Sequence, residues 1–207
     1  NCDTLANVTN TFFSGIQNWS NLTWATSQAC EGKMISWRQY TNDSKNQWNV
    51  TSSQTYAVNM VNPVTTIGTN PVNFYNSSSS SITFDLKCSD NFNVSTIQLW
   101  TNTTGTWHAN QTNSTPVNNT FWNVTVNNIA DGLGFIWAAR CVDTPGNSVF
   151  SSTNRTFMVD ATFPKVSFIS PTEQNDTQFE RDWIFVNLSV NETNLLNITY
   201  SLYNTSL

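Results

Sequence analysis

Apolar and polar residues alternate with a period of two along much of this chain. Ile82, Phe84, Leu86 and Cys88 fall on one face of a first core strand, and Ile97 and Leu99 lie in the next, which ends near Trp100. Trp122, Val124 and Val126 share one face of a third strand, and Phe135, Trp137, Ala139 and Cys141 line a fourth. A last strand runs near Thr156 to Val159, ahead of Pro164. Successive side chains of a strand point to opposite faces, so this spacing places one row of each segment in a core. Asn, Ser, Gly and Pro bound the segments, and none has the length and 3.6-residue period of a helix. The predicted fold class is all-β.

The pattern repeats at an offset of about one hundred residues. Trp37, Asp43, Asn46 and Thr55-Tyr56-Ala57-Val58 recur as Trp137, Asp143, Asn147 and Thr156-Phe157-Met158-Val159. Upstream, Leu22, Trp24 and Gly32 fall opposite Trp122, Val124 and Gly132; downstream, Phe84, Leu86 and Asp90 meet Val186, Leu188 and Glu192. A period of this size predicts stacked domains. One repeat is complete, at residues 67–162. Residues 1–66 read as the C-terminal half of a repeat and residues 163–207 as the N-terminal half of another.

Composition changes the picture at the surface. Only 10% of residues are charged, and the net charge is -5 with eight Lys plus Arg, which argues against a nucleic-acid partner. Asn-x-Ser/Thr occurs at Asn7, Asn18, Asn21, Asn42, Asn49, Asn76, Asn93, Asn102, Asn110, Asn113, Asn118, Asn123, Asn154, Asn175, Asn187, Asn191, Asn197 and Asn204. Chance placement would give roughly half as many. Several take the form Asn-apolar-Ser/Thr, as at Asn123-Val124-Thr125 and Asn187-Leu188-Ser189, so that on a strand the apolar residue points inward and the acceptor outward. The expectation is a secreted, heavily N-glycosylated protein at the cell surface. Four cysteines suit an oxidising compartment, and no CxxC or Cys/His spacing suggests zinc. The chain opens with Asn and has no apolar run of membrane-spanning length, which predicts a removed signal peptide and no membrane span.

Cys88 and Cys141 sit on inward faces with Trp100 twelve residues after the first. This resembles the Cys, Trp, Cys arrangement of immunoglobulin-like sandwiches, in which strands B and F are pinned across the core beside a Trp on strand C. Ala139 stands where such domains carry a Tyr, and Trp137 offers similar volume. Asp143-Thr144-Pro145-Gly146-Asn147, directly after Cys141, looks like the turn between strands F and G of tandem immunoglobulin-like domains in archaeal surface proteins, the layer-forming and filament-forming glycoproteins. Leu99-Trp100-Thr101-Asn102 with Gly105 and Trp107, Asp131-Gly132, Asn154-Arg155-Thr156-Phe157, and the linker Val159-Asp160 before Pro164 are similar too. The resemblance implies a Cys88 to Cys141 bond, which leaves Cys2 to pair with Cys30.

Candidate chemistry is sparse. His108 is the only histidine, and a solvent-facing loop position is the expected reading rather than a catalytic triad. Asp131, Asp143, Asp160, Asp176 and Asp182 fall at strand ends and linkers, where inter-domain calcium is conceivable but turn-forming Asp is expected. Nothing places two carboxylates in one cleft for glycoside hydrolysis. Lys87 beside Cys88 reads as an outward-facing strand residue rather than an isopeptide donor. The tryptophans could stack on sugars, although most fall on inward parities and are expected in the core. No enzyme, metal or cofactor beyond covalent glycans is expected.

The split repeat carries the functional expectation. The first segment lacks strands A, B and most of C, and the last contains little else. Neither half can bury its own apolar face. Where the middle repeat has Cys88 and Cys141, the outer halves have Val190 and Thr41, so both lose the pin together. The expected function is a structural subunit of an extracellular filament or surface array, a head-to-tail homopolymer joined by strand complementation. Its joint would draw on Val186, Leu188, Val190, Leu202 and Tyr203 against Trp24 and Trp37. The alternatives are a fragment of a long surface-layer or adhesin polypeptide and a carbohydrate-binding module.

Overall fold

The computed structural model describes residues 21–203. The chain is all-β, with several sheets and no α-helix among the described residues. In chain order the strands are β1 (Met34–Trp37), β2 (Tyr40–Asn42), β3 (Trp48–Val50), β4 (Gln54–Ala57), β5 (Val64–Ile67), β6 (Tyr75–Ser77), β7 (Ile82–Ser89) and β8 (Val94–Thr101). They continue with β9 (His108–Asn113), β10 (Phe121–Val126), β11 (Gly132–Asp143), β12 (Ser148–Phe150), β13 (Arg155–Val159), β14 (Lys165–Phe168) and β15 (Leu188–Asn191).

Two sheets share the main core. One runs β10-β7-β5; the other runs β6-β13-β11-β8-β9, with β12 also on β11. Burial along β7 alternates strictly over Ile82, Phe84, Leu86 and Cys88. Those side chains meet Ile97 and Leu99 of β8, Trp137, Ala139 and Cys141 of β11, and Phe157 and Val159 of β13; none of these residues is more than 3% exposed. The Phe84 ring sits edge-on to Trp137 at 5.1 Å and to Phe157 at 5.6 Å, the geometry that aromatic quadrupoles favour. A Cys88–Cys141 disulfide ties β7 to β11, and so one sheet to the other. This layout is compatible with a β-sandwich.

Trp100 departs from the expected place beside that disulfide. On β8 the buried row is Ile97, Leu99 and Thr101, so Trp100 stands on the opposite face and touches Trp107 and Phe150 instead. Trp137 fills the core position. The expectation that most tryptophans pack inward is likewise corrected: of the eight described, only Trp137 is fully buried, and Trp24, Trp37, Trp48, Trp107 and Trp183 are exposed. Four of those five lie in the terminal segments, where the described residues form only two-stranded sheets that leave them uncovered.

The pairing registers of the terminal segments match those of the middle unit. Strands β1 and β4 pair Ile35 with Tyr56, Ser36 with Thr55 and Trp37 with Gln54; β11 and β13 pair Phe135 with Phe157, Ile136 with Thr156 and Trp137 with Arg155. Strands β2 and β3 pair Tyr40 with Val50 and Thr41 with Asn49, where β11 and β12 pair Arg140 with Phe150 and Cys141 with Val149. The turns correspond, with Asn46 at φ 63° where Gly146 has φ 104°. That aligns Asn46 with Gly146 and Gln47 with Asn147, one residue away from the alignment drawn on sequence. At the other end β14 and β15 pair Val166 with Val190 and Phe168 with Leu188, as β5 and β7 pair Thr65 with Cys88 and Ile67 with Leu86.

Candidate subunit joint

Residues 21–58 supply strands but only one layer. Cys30, Ile35 and Val58 form a small buried cluster, while Leu22, Trp24, Met34, Trp37, Tyr40 and Tyr56 remain 39–63% exposed. Trp37 and Tyr56 meet edge-on at 5.7 Å without cover. In the middle unit the corresponding face, with Trp137 and Phe157, is closed by β7 of the opposite sheet, whose Phe84 meets both rings. No strand among the described residues of the first segment covers Trp37 and Tyr56 in that way. Residues 21–27 correspond to β10, whose ladder partner is β7, and form no strand. A β ladder needs a neighbour to accept its N–H groups, so a segment whose partner is missing stays irregular.

Residues 163–203 have the complementary deficit. The β14–β15 hairpin opens on a groove of about 600 Å³ lined by Val166, Phe168, Ile184, Val186, Leu188, Val190, Ile198, Leu202 and Tyr203. Val186, Leu188 and Val190 are half-buried along its floor, and Leu202 and Tyr203 are 84% and 83% exposed. Leu196, Ile198, Tyr200 and Leu202 are exposed with a period of two and belong to no strand. Their middle-unit counterpart is β8, which pairs with β11, and the described residues of the last segment include no counterpart of β11.

All seven residues expected at the joint are therefore open or half-open, and they form two separate surfaces rather than one assembled site. The sequence expectation did not include Val166, Phe168, Ile184, Ile198 and Tyr200, which line the same groove, or Met34 and Tyr56, which are exposed on β1 and β4. The period-two run from Leu196 to Leu202 and the offset of Phe168 from Ile67 were signals that could have found them.

Equivalent polar contacts recur in the first and middle units, and others cross between units. Glu31 Oε2 accepts a hydrogen bond from the Met60 N–H, and Asp131 Oδ1 accepts one from the Ala161 N–H at 2.7 Å. The Thr162 hydroxyl, and then the Ala161 amide, hold the Asp131 carboxyl below its ordinary range. Asn59 Nδ2 donates to Asp90 Oδ1 and to Asp143 Oδ2, both at 3.1 Å, and Asn147 Nδ2 donates to Asp143 Oδ2 at 2.7 Å. Asp143 is 1% exposed and its second oxygen caps the Gly146 N–H, a turn role. Asp160 Oδ2 accepts from Asn194 Nδ2. Asp176 and Asp182 are exposed. Among the described residues no three acidic, His or Cys side chains converge to hold a metal ion.

His108 lies at the start of β9, its Nδ1 2.9 Å from the Thr106 carbonyl and 3.4 Å from the Thr104 hydroxyl. Of the sequon asparagines, Asn7, Asn18 and Asn204 lie outside the described residues, as does Cys2. Cys30 is buried. None of the other fifteen sequon asparagines is buried, and Asn102, Asn110, Asn113, Asn118 and Asn187 are the half-buried ones. Asn118 is pinned at both ends, donating from Nδ2 to the Asp90 carbonyl and accepting the Asp90 N–H on Oδ1. Asn197 lines the apolar groove. No helix among the described residues is long and apolar enough to cross a membrane. Compared with known proteins, the chain matches no family model and no curated protein sequence.

Proposed function

We propose that this protein is a structural glycoprotein whose molecules join head to tail, residues 163–207 of one subunit completing the open sheet of residues 1–66 in the next. The completed joint is an immunoglobulin-like sandwich like the unit at 67–162, and the product is a glycan-coated extracellular filament or surface array. The observation that carries this reading is the pair of open half-units whose registers match the two halves of the closed one. In the proposed joint Leu188 pairs opposite Leu22 and Val186 opposite Trp24, by analogy with the β7–β10 ladder. The run from Leu196 there lies beside the neighbour's β1 and β2, by analogy with the β8–β11 ladder of the middle unit. Donated strands of this kind gain main-chain hydrogen bonds and bury alternate side chains in one step. The low charge and the solvent-accessible sequon asparagines suit a surface kept hydrophilic by sugar.

The test is electron microscopy of purified full chain beside a variant lacking residues 163–207. The full chain should polymerise; the truncated chain should stay a soluble subunit that keeps its Cys88–Cys141 bond. Normal filaments from the truncated chain would overturn the proposal, and a stable full-length monomer at high concentration would favour a piece of a longer polypeptide whose halves are completed in the same chain.

A further inference from the structure

The outer face of the β11–β8 pair carries an aromatic cluster that the core does not need. Trp100 lies 6.0 Å from Trp107 with the rings tilted at 41° and 5.3 Å from Phe150 with the rings edge-on. Trp107 and Phe150 keep 40% and 39% of their surface in solvent. The fringe is polar and ordered. Gln98 Oε1 accepts from Trp100 Nε1 at 3.0 Å and from Arg140 at 3.3 Å, Arg140 donates also to the Ser148 hydroxyl, and its guanidinium stands 5.8 Å over the Phe150 ring.

A sequon lies between the two tryptophans of this cluster in sequence. Asn102-Thr103-Thr104 lies in the turn between the two tryptophans, closed by the Gly105 N–H donating to the Asn102 carbonyl at 2.9 Å, with Gly105 at φ 89°. Asn102 follows Trp100 by two residues, just past the end of β8. Its Oδ1 accepts the Ile136 N–H at 2.7 Å. That bond fixes the amide and leaves Nδ2, the atom that bears an N-linked sugar, free to carry one. A pyranose ring presents one face of C–H groups and a rim of hydroxyls. The C–H face suits the negative face of an indole, and the rim suits amide and guanidinium groups.

We propose that the Trp100–Trp107–Phe150 cluster is the seat of this chain's own glycan at Asn102, with the first sugars stacked on the tryptophans and hydrogen-bonded by Gln98 and Arg140. This rests on the reading of the protein as a glycoprotein. The sugar then serves as an outer layer of the fold, shielding a sheet face that would otherwise leave two large rings in water.

Full-length chain from a glycosylating host, its Thr104→Ala variant and a control, Asn154→Gln, would be compared. Thr104→Ala removes the sequon and leaves Asn102 and its hydrogen bond to Ile136 in place. Glycopeptide mass spectrometry first reads occupancy at Asn102, and hydroxyl-radical footprinting then reads the oxidation rate of Trp107. The expected result is an occupied Asn102 and a rate that rises several-fold in Thr104→Ala and not in Asn154→Gln. The Trp107→Ala substitution should lower Tm more in the glycosylated chain than in the Thr104→Ala background. An occupied Asn102 with unchanged Trp107 oxidation and additive Tm shifts overturns the stacking proposal while sparing the glycoprotein reading. An unoccupied Asn102 overturns both at this site.

Discussion

A disulfide engineered across the proposed joint gives the sharpest test of its register. Thr41 stands in β2 where Cys141 stands in β11, paired with Asn49 as Cys141 is paired with Val149. Val190 stands in β15 where Cys88 stands in β7, paired with Val166 as Cys88 is paired with Thr65. In the middle unit the two cysteine Cα atoms are 5.8 Å apart, inside the roughly 4.4–6.8 Å window in which a disulfide closes without moving the backbone. If a donated β15 packs over the neighbour's β2 as β7 packs over β11, the double variant Thr41→Cys/Val190→Cys acquires the same separation between subunits. A register slip of one residue would turn the Val190 side chain to the opposite face, so the bond would not form. After mild oxidation, non-reducing electrophoresis in boiling detergent should show a ladder whose rungs differ by one subunit, 23.3 kDa of polypeptide plus its glycans. Reducing agent should collapse the ladder, and each single variant should give none. Cross-linking confined to one chain would mean that the halves close on each other within a molecule, and no cross-linking would mean that the register is wrong; either result refutes the joint as drawn.

Leu188→Asp should abolish polymerisation, because it would bury an unpaired carboxylate in the joint at a cost of several kcal/mol, while near-ultraviolet circular dichroism of the middle unit stays unchanged. Replacing Cys88 and Cys141 with Ala should destabilise the middle unit by about 4 kcal/mol on the loop-entropy estimate for a separation of 53 residues, read as a shift in denaturant midpoint. Glycopeptide mapping should find most sequons occupied but Asn118 poorly used, since both ends of its amide bind the Asp90 backbone; full occupancy there would contradict its structural role. The Asp131 carboxyl is held low by Thr162 and Ala161, so its ionised form favours the ordered linker at and above its ordinary value of 3.8. That contribution is lost as pH falls below it, through the lowered folded value. Limited proteolysis near residues 160–163 should accelerate in acid, and Asp131→Asn should show the acid behaviour at neutral pH.

What the sequence determined by itself was local and periodic. The alternation through Ile82, Phe84, Leu86 and Cys88 needs only the geometry of one strand, and burial follows it residue by residue. The offset of one hundred residues needs only that like sequences pair alike, and the ladders of β1–β4 and β11–β13 do so. Two things were decided by tertiary structure. Alternation puts Trp100 opposite Ile97 and Leu99, and tertiary packing decided which of the two faces is the core, burying Ile97, Leu99 and even Thr101 beside Trp137 in the same sheet. Residues 21–27 and 192–203 carry strand-like patterns yet form no strand, because a ladder exists only where a neighbour offers N–H and C=O groups, and no sheet among the described residues offers them there. Alternation prescribes which side of a strand is apolar; whether the strand forms, and what covers it, depends on a partner that the alternation does not name.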